Sequence, residues 1–264
     1  MNTTAEPQLW FGTSGLVLPV PNKQAFPPKF RAGSRLTFYA SLFNSLEVNS
    51  SFYKIPLPKT FSKWVTEVPE NFRFTIKLWQ GITHEPQLNF TPADVDKFMH
   101  AANHLVTKKG CLLIQLPPSL KIDKADQLQH LLERIKRSGQ DWKLAVEFRN
   151  KTWYTPEIEK LLAQFQTTRV LHDMPASKIM ETTGDLPFVY LRFHGPAGDY
   201  KGGYGKAALK VYAEMIQEWQ IKNKEVYVYF NNTIGDAITD LETLRVLTLR
   251  PATDPAQATA PHPN

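Results

Sequence analysis

Eight short runs of β-type sequence, each followed by a stretch of helical periodicity, constrain this chain more than any other feature. The runs are residues 9–15, 46–53, 72–79, 111–117, 143–149, 169–173, 188–195 and 225–232. Strand and helix that alternate in this way build a parallel sheet, because a parallel partner is reached only through a crossover connection. Eight such units fit one closed (β/α)8 barrel of the TIM type better than an open doubly wound sheet, and 264 residues is a size at which that barrel stands as a single domain. Helices are expected over 34–43, 59–68, 91–108, 123–137, 156–166 and 234–247. In 91–108 the residues Val95, Phe98, Met99, Ala102, Leu105 and Val106 share one stripe, and Leu209, Tyr212, Ala213, Ile216 and Trp219 form another. Residues 31–36 and 86–89 read as loops. The barrel is assigned to 1–249, and the proline- and alanine-rich tail at 250–264 is expected to be disordered.

The runs themselves support closure. Strands buried on both faces should be almost continuously apolar, yet several here alternate. Glu47, Asn49, Ser51 and Tyr53 share one face; so do Arg73, Thr75 and Lys77; Glu147 and Arg149; Tyr190, Arg192 and His194; and Tyr227, Tyr229 and Asn231. If helices cover the apolar face, the polar one points into a barrel, where its groups must pair with one another, bind water or hold a ligand. Those at the carboxyl ends of strands line the mouth where such barrels work.

Composition narrows the partners. A net charge of +6 and a pI near 9.2 favour acidic small molecules and permit nucleic acid, but the lysines and arginines are scattered and form no basic block. The single cysteine, Cys111, opens an apolar run, so it is read as buried and inert, leaving neither a disulfide nor a thiolate metal cluster. That suits a reducing cytoplasm. The amino terminus lacks a basic and an apolar leader region, and no apolar run reaches the length of a membrane span, so the chain is read as unexported, soluble and cytoplasmic, without a membrane partner. No phosphate-binding P-loop, dinucleotide fingerprint or Gly-x-Ser-x-Gly elbow is present, which removes support for nucleotide hydrolysis, nicotinamide chemistry and α/β-hydrolase catalysis.

Particular words of the sequence then carry a resemblance. Gly12-Thr-Ser-Gly15, Leu46-Glu-Val-Asn-Ser-Ser-Phe-Tyr53, Phe74-Thr-Ile-Lys77 with Ile82-Thr-His84, Gln115-Leu-Pro-Pro118, Ala145-Val-Glu-Phe-Arg149 with Thr152-Trp-Tyr154, Leu191-Arg-Phe-His-Gly195 and Tyr229-Phe-Asn-Asn232 together resemble the DUF72 (YecE-like) family. The match runs through nearly all of the chain before the tail. It implies a TIM-type barrel distantly similar to the metal-dependent xylose isomerase and endonuclease IV barrels, and it implies no reaction, because the family has none assigned. The chain departs from the family pattern at Leu16, where tryptophan is usual, at Thr233, where an acidic residue often follows the paired asparagines, and at Asp240-Leu241, which replaces Asn-Ala.

The candidate site gathers these observations. Glu147, His194 and Asp173 are the expected catalytic groups, with Asn49, Tyr53, Lys77, His84, Gln115, Arg149, Arg192, Tyr200, Asn231 and Asn232 as ligand-binding residues. In this reading the arginines clamp a phosphate or carboxylate while Glu147 or His194 moves a proton. The bland alternative is a salt-bridge network of Glu47, Lys77, Glu147, Arg149 and Arg192 that merely fills the barrel. Glu147, His172, Asp173 and His194 include metal-ligand types, but no His-Glu-x-x-His spacing accompanies them and neighbouring arginines would repel a cation, so no protein-bound metal is expected. The residues name no cofactor. Tyr200 and Tyr204 read either as stacking or lid residues or as ordinary loop packing, Trp153 and Tyr154 as anchors of the next helix, and His100 and His104 as solvated. Three functions stay open: acid–base or hydrolytic work on an anionic substrate, non-catalytic binding of nucleic acid or a metabolite, and a divalent-metal phosphoesterase akin to endonuclease IV barrels.

Overall fold

A strand forms at each of the eight expected runs in the computed structural model, which describes residues 9–139, 141–182, 184 and 186–249. The second run is strand only to Val48: Ser50–Tyr53 is helical, so Ser51 and Tyr53 do not continue the strand face of Glu47. The strands are β1 (Leu9–Thr13), β2 (Ser45–Val48), β3 (Arg73–Lys77), β4 (Lys109–Gln115), β5 (Lys143–Glu147), β6 (Thr167–Arg169), β7 (Leu171–His172), β8 (Val189–Phe193) and β9 (Val226–Phe230). The sixth run supplies two of them. Val170 N still donates to Val146 O on β5 at 2.9 Å, and from Leu171 the chain bonds to β8 instead. Every pairing between these strands is parallel.

The eightfold alternation predicts one closed ring, but the strands form two open sheets, β1-β9-β8-β7 and β2-β3-β4-β5-β6. Side chains explain the gap between β1 and β2. Phe11 N donates to Asn44 Oδ1 at 2.8 Å and Thr13 N to the Tyr39 hydroxyl at 2.7 Å, so side chains take the place of a second backbone ladder. Backbone pairing resumes only at the Ser14–Glu47 bridge, where Gly15 N donates to Glu47 O at 2.7 Å. The strands are nonetheless close. A Cβ on Gly12 would lie 2.1 Å from Ser45 O, which only glycine allows.

Helices follow the strands: α1 (Arg35–Tyr39), α2 (Ser50–Tyr53), α3 (Pro58–Thr66), α4 (Gln80–Thr83), α5 (Pro92–Ala102), α6 (Ala125–Ser138), α7 (Pro156–Gln164), α8 (Lys206–Ile221) and α9 (Ala237–Leu249). Their starts are chemically marked. Ser34 and Thr155 cap α1 and α7 through their side chains, and proline opens α3, α5 and α7. The α1 helix is shorter than the expected 34–43 and begins inside the segment read as a loop. The single helix expected over 91–108 ends at Ala102 and gives way to a 3-10 segment, Asn103–Lys108, in which Val106 has φ 43°. That turn exposes Val106, expected on the apolar stripe, and buries Lys108, whose Nζ donates to Pro69 O at 2.8 Å. The expected tail, 250–264, lies outside the described residues. Among the described residues no helix is long and apolar enough to cross a membrane.

The apolar strand faces pack outward on the helices. Ile76, Ile114, Val146, Leu191 and Phe230 share one buried cluster with Phe98 of α5, Leu132 of α6, Ile216 of α8 and Leu244 of α9. A second cluster occupies the inner faces near the amino ends of the strands: Trp10, Cys111, Leu113, Ala145, Val170, Phe188, Tyr190, Tyr227 and Tyr229. Polar side chains follow it toward the carboxyl ends. Any ligand site on the inner faces therefore opens at that end.

Candidate functional site

Arg192 is the centre of the polar layer. It lies within β8, 1% exposed, and every guanidinium nitrogen has a partner. Its Nε lies 3.1 Å from both Glu47 carboxylate oxygens, Nη2 donates to Glu47 Oε1 at 2.8 Å and to Ser14 Oγ at 3.0 Å, and Nη1 donates to Glu147 Oε2 at 2.7 Å. Ser14 and Tyr190 donate short hydrogen bonds to the same Glu47 carboxylate. Burial alone would push both glutamates upward, but arginine charges outweigh it: Arg192 for Glu47, Arg149 and Arg192 for Glu147. Both stay ionised, Glu147 well below the usual carboxylate range.

His194, one residue beyond β8, is fully buried. Its Nε2 faces Arg149 Nη2 at 3.0 Å and Arg192 Nη1 at 3.2 Å. Guanidinium groups only donate, so Nε2 must accept and the ring proton belongs on Nδ1, 3.2 Å from Asp173 Oδ1. Desolvation holds this imidazole below its ordinary value despite Glu147 and Asp173. Asp173 also accepts from His194 N at 2.8 Å and, in a short bond, from the Tyr204 hydroxyl. The hydroxyl in turn accepts from Gly195 N at 2.7 Å. Gly195 has φ 92°, and a Cβ there would lie 2.4 Å from Lys201 O, so this turn of the Gly-rich loop needs glycine.

Nearer the opening stand Lys77, Gln115 and Arg149, from the ends of three neighbouring strands. Lys77 Nζ donates to Gln115 Oε1 at 2.8 Å and sits 3.9 Å from the centroid of the Phe52 ring. Among the described residues no carboxylate forms an ion pair with it. Burial, then the Arg192 charge, lowers its amine to about 7. Arg149 pairs with Glu147 at short range and its side chain is 9% exposed. His84 is exposed beside α4, its ring 5.0 Å from Phe52, and is held below its ordinary value by desolvation and by the Lys77 and Arg149 charges. Asn49 donates to Ser14 Oγ at 2.9 Å, and its buried Oδ1 has no hydrogen-bond partner among the described residues.

The remaining expected residues differ in exposure. Tyr53 ends α2 and is 69% exposed; Tyr200, 37% exposed at φ 67°, places its ring 5.9 Å from that of His194. Asn231 follows β9 directly and is largely buried. Asn232 braces the loop, donating to Gly202 O at 2.9 Å and to Asp240 Oδ2 at 2.8 Å, while Asp240 also accepts from Tyr204 N. Three contributors stand outside the expected set. Glu47 reads only as part of the bland salt-bridge network, where it does pair with Arg192; Phe52 lies in a word of the family resemblance without a role of its own; Tyr204 reads as a loop aromatic, not as the donor to Asp173.

Glu147, His172 and His194 place ligand-type atoms within 4.8 Å of one another. They do not fit a metal. His194 Nε2 already accepts from two arginines, and His172 Nε2 lies 3.0 Å from Phe148 O while Met174 N approaches its Nδ1 at 3.3 Å, so the His172 nitrogens are both used. The triad's one carboxylate, Glu147, is already paired with Arg149 and Arg192.

The family described as "Protein of unknown function DUF72" matches residues 10–263. Among curated proteins the chain is 27% identical over 251 residues to the UPF0759 protein YunF of Bacillus subtilis, covering 81% of this chain and 86% of that one. It is 26% identical over 122 residues to the UPF0759 protein YecE of Escherichia coli K12, covering 46% and 44%. Crystal structures of DUF72 family proteins share the fold. One from Enterococcus faecalis superimposes with a TM-score of 0.76 at 22% identity, over 96% of this chain and all of that one. One from Thermotoga maritima gives 0.72 at 25% identity, over 91% and 99%. With the family matched from the first strand to beyond the last helix and the fold shared along nearly its whole length, this chain belongs to the DUF72 family.

Proposed function

We propose that the strand ends bind the acid group of a small phosphate- or carboxylate-bearing molecule between Lys77 and Arg149. The observation that carries this is Lys77: a buried amine held by an amide oxygen and an aromatic ring but, among the described residues, paired with no carboxylate. A bound anion would supply the missing charge and favour the ammonium form. Arg149 keeps its fork geometry because Glu147 and His194 hold it from below, and Asp173 fixes His194 in turn. The carboxylates that neutralise Arg192 lie deeper, so the cations present themselves nearer solvent than the anions do. This reading treats the two sheets as halves of one barrel, meeting at the Ser14–Glu47 bridge and at Val170, with the site at the carboxyl ends of the strands, where such barrels act.

Thermal unfolding in phosphate tests it. The melting temperature should rise with the logarithm of phosphate concentration above the dissociation constant, each tenfold step adding about 1.4 kcal/mol. A chelator should leave it unchanged, and Arg149→Met should abolish the phosphate response. A stoichiometric divalent metal whose removal lowers the melting temperature, with indifference to phosphate, would overturn the proposal. A second reading, a non-catalytic nucleic-acid module, has in its favour the exposed aromatic rings of Tyr53 and Tyr200. It requires oligonucleotide binding that falls steeply with salt.

A further inference from the structure

We propose that the Lys77 amine forms an imine with the carbonyl carbon of a small oxo-acid or phosphorylated carbonyl compound whose acid group rests on Arg149. This deepens the anion reading and rests on it. A lysine becomes a nucleophile when it is withdrawn from water or set beside other cations, and Lys77 meets both conditions. It is 8% exposed, its nitrogen is fixed between the Phe52 ring and Gln115 Oε1, and the charges that act on it include Arg192 and Arg149. Glu47 and Glu147 also act on it, but both are committed to arginines. The other titratable neighbour, His84, lies across the Phe52 ring. Glu147 and His194, in contrast, have their reactive atoms engaged by guanidinium groups, which leaves Lys77 as the group free to react.

Distance suits a short bifunctional molecule. Strands β3 and β5 are separated by β4 alone, so their backbones stand roughly 10 Å apart at ordinary sheet spacing. Two long side chains reaching inward leave room for an acid group and a carbonyl on the same small carbon skeleton. The step balances without an oxidant or reductant. The neutral amine attacks the carbonyl carbon, a C–N bond forms as the π pair moves to oxygen, and a proton passes from nitrogen to that oxygen. Nitrogen then expels the hydroxyl group, which takes a proton and leaves as water, giving C=N.

The test uses the full chain at pH 7 with glyoxylate, pyruvate or glyceraldehyde 3-phosphate and cyanoborohydride, which reduces an imine to a stable secondary amine. Peptide mapping by mass spectrometry should find Lys77 modified roughly tenfold or more faster than exposed lysines such as Lys54 or Lys222. Inorganic phosphate should block the adduct, and Lys77→Met and Lys77→Arg should lack it. Labelling that follows exposure and spares Lys77, while phosphate still raises the melting temperature, overturns the imine and leaves the anion site standing. An adduct on Lys77 that phosphate does not block shows a reactive amine but overturns the anion site, and with it the proposal that an acid group on Arg149 positions the carbonyl. Because mapping on the unsubstituted chain decides the matter, a variant that fails to fold does not weaken the test.

Discussion

Lys77 costs the fold stability in proportion to how strongly it resists its proton. In the unfolded chain the amine titrates near 10.5, whereas in the fold it does so near 7. Between those values the unfolded state binds more protons, so stability rises with pH through that window and the full penalty applies below it. Lys77→Met should therefore raise the unfolding free energy at pH 7 by roughly 2–4 kcal/mol, with the gain vanishing as pH approaches 10.5. Urea unfolding of both proteins at pH 7, 8 and 9 measures this, and a variant less stable than its parent at pH 7 would contradict it. Strand alternation made the inward placement of Lys77 legible. Its lack of a carboxylate was not, because Glu47 and Glu147 are drawn to Arg192 by pairings between strands far apart in sequence, and Glu147 also to its near neighbour Arg149.

At the level of elements, β8 shows where strand periodicity informs and where it stops. It places Arg192 and His194 on one face, as read, but two residues apart along a strand means different depths. Arg192 sits within the strand among buried carboxylates, and His194 emerges just above. A period of two gives the face and not the layer. The helix expected over 91–108 stops short: it tightens to 3-10 geometry after Ala102, and the positive φ at Val106 then turns that residue off a stripe that hydrophobic spacing alone would continue. Leu16 offers a test of its own. With Leu36, Lys59, Lys63 and Trp64 it lines an open groove of about 610 Å³ beside α1 and α3, at the position where the resemblance implies tryptophan. Leu16→Trp should cover part of that groove and add about 1 kcal/mol, a rise in melting temperature of roughly 2–4 °C by calorimetry. No change, or a fall, would mean the groove walls leave no place for the larger ring.

Across the whole molecule, parallel α/β architecture was legible because alternating strand and helix patterns admit few alternatives, while the break into two sheets was not. It rests on Asn44 and Tyr39 taking backbone bonds between β1 and β2 and on the chain changing partner from β5 to β8 after Val170, neither of which periodicity encodes. What ties the sheets together is the polar interior. Glu47 on β2 bonds Tyr190 and Arg192 on β8, Arg192 reaches Glu147 on β5, and the Tyr229 hydroxyl on β9 meets Ser45 at 2.6 Å and Thr75 at 2.7 Å. Glu47→Ala should then cost about 3–5 kcal/mol in urea unfolding, the penalty for leaving a buried arginine short of a partner. A loss under about 1 kcal/mol would show that the sheets hold without it. The same interior contains the chain's one thiol. Cys111 lies fully enclosed on β4, its amide donating to Thr75 Oγ1, and burial pushes the thiol well above its ordinary value. A sulfhydryl reagent can reach it only when the surrounding strands part, so the unmodified protein carries a built-in clock for that opening: the rate at which the thiol becomes labelled reports, without any engineered probe, how often the interior is laid open to solvent.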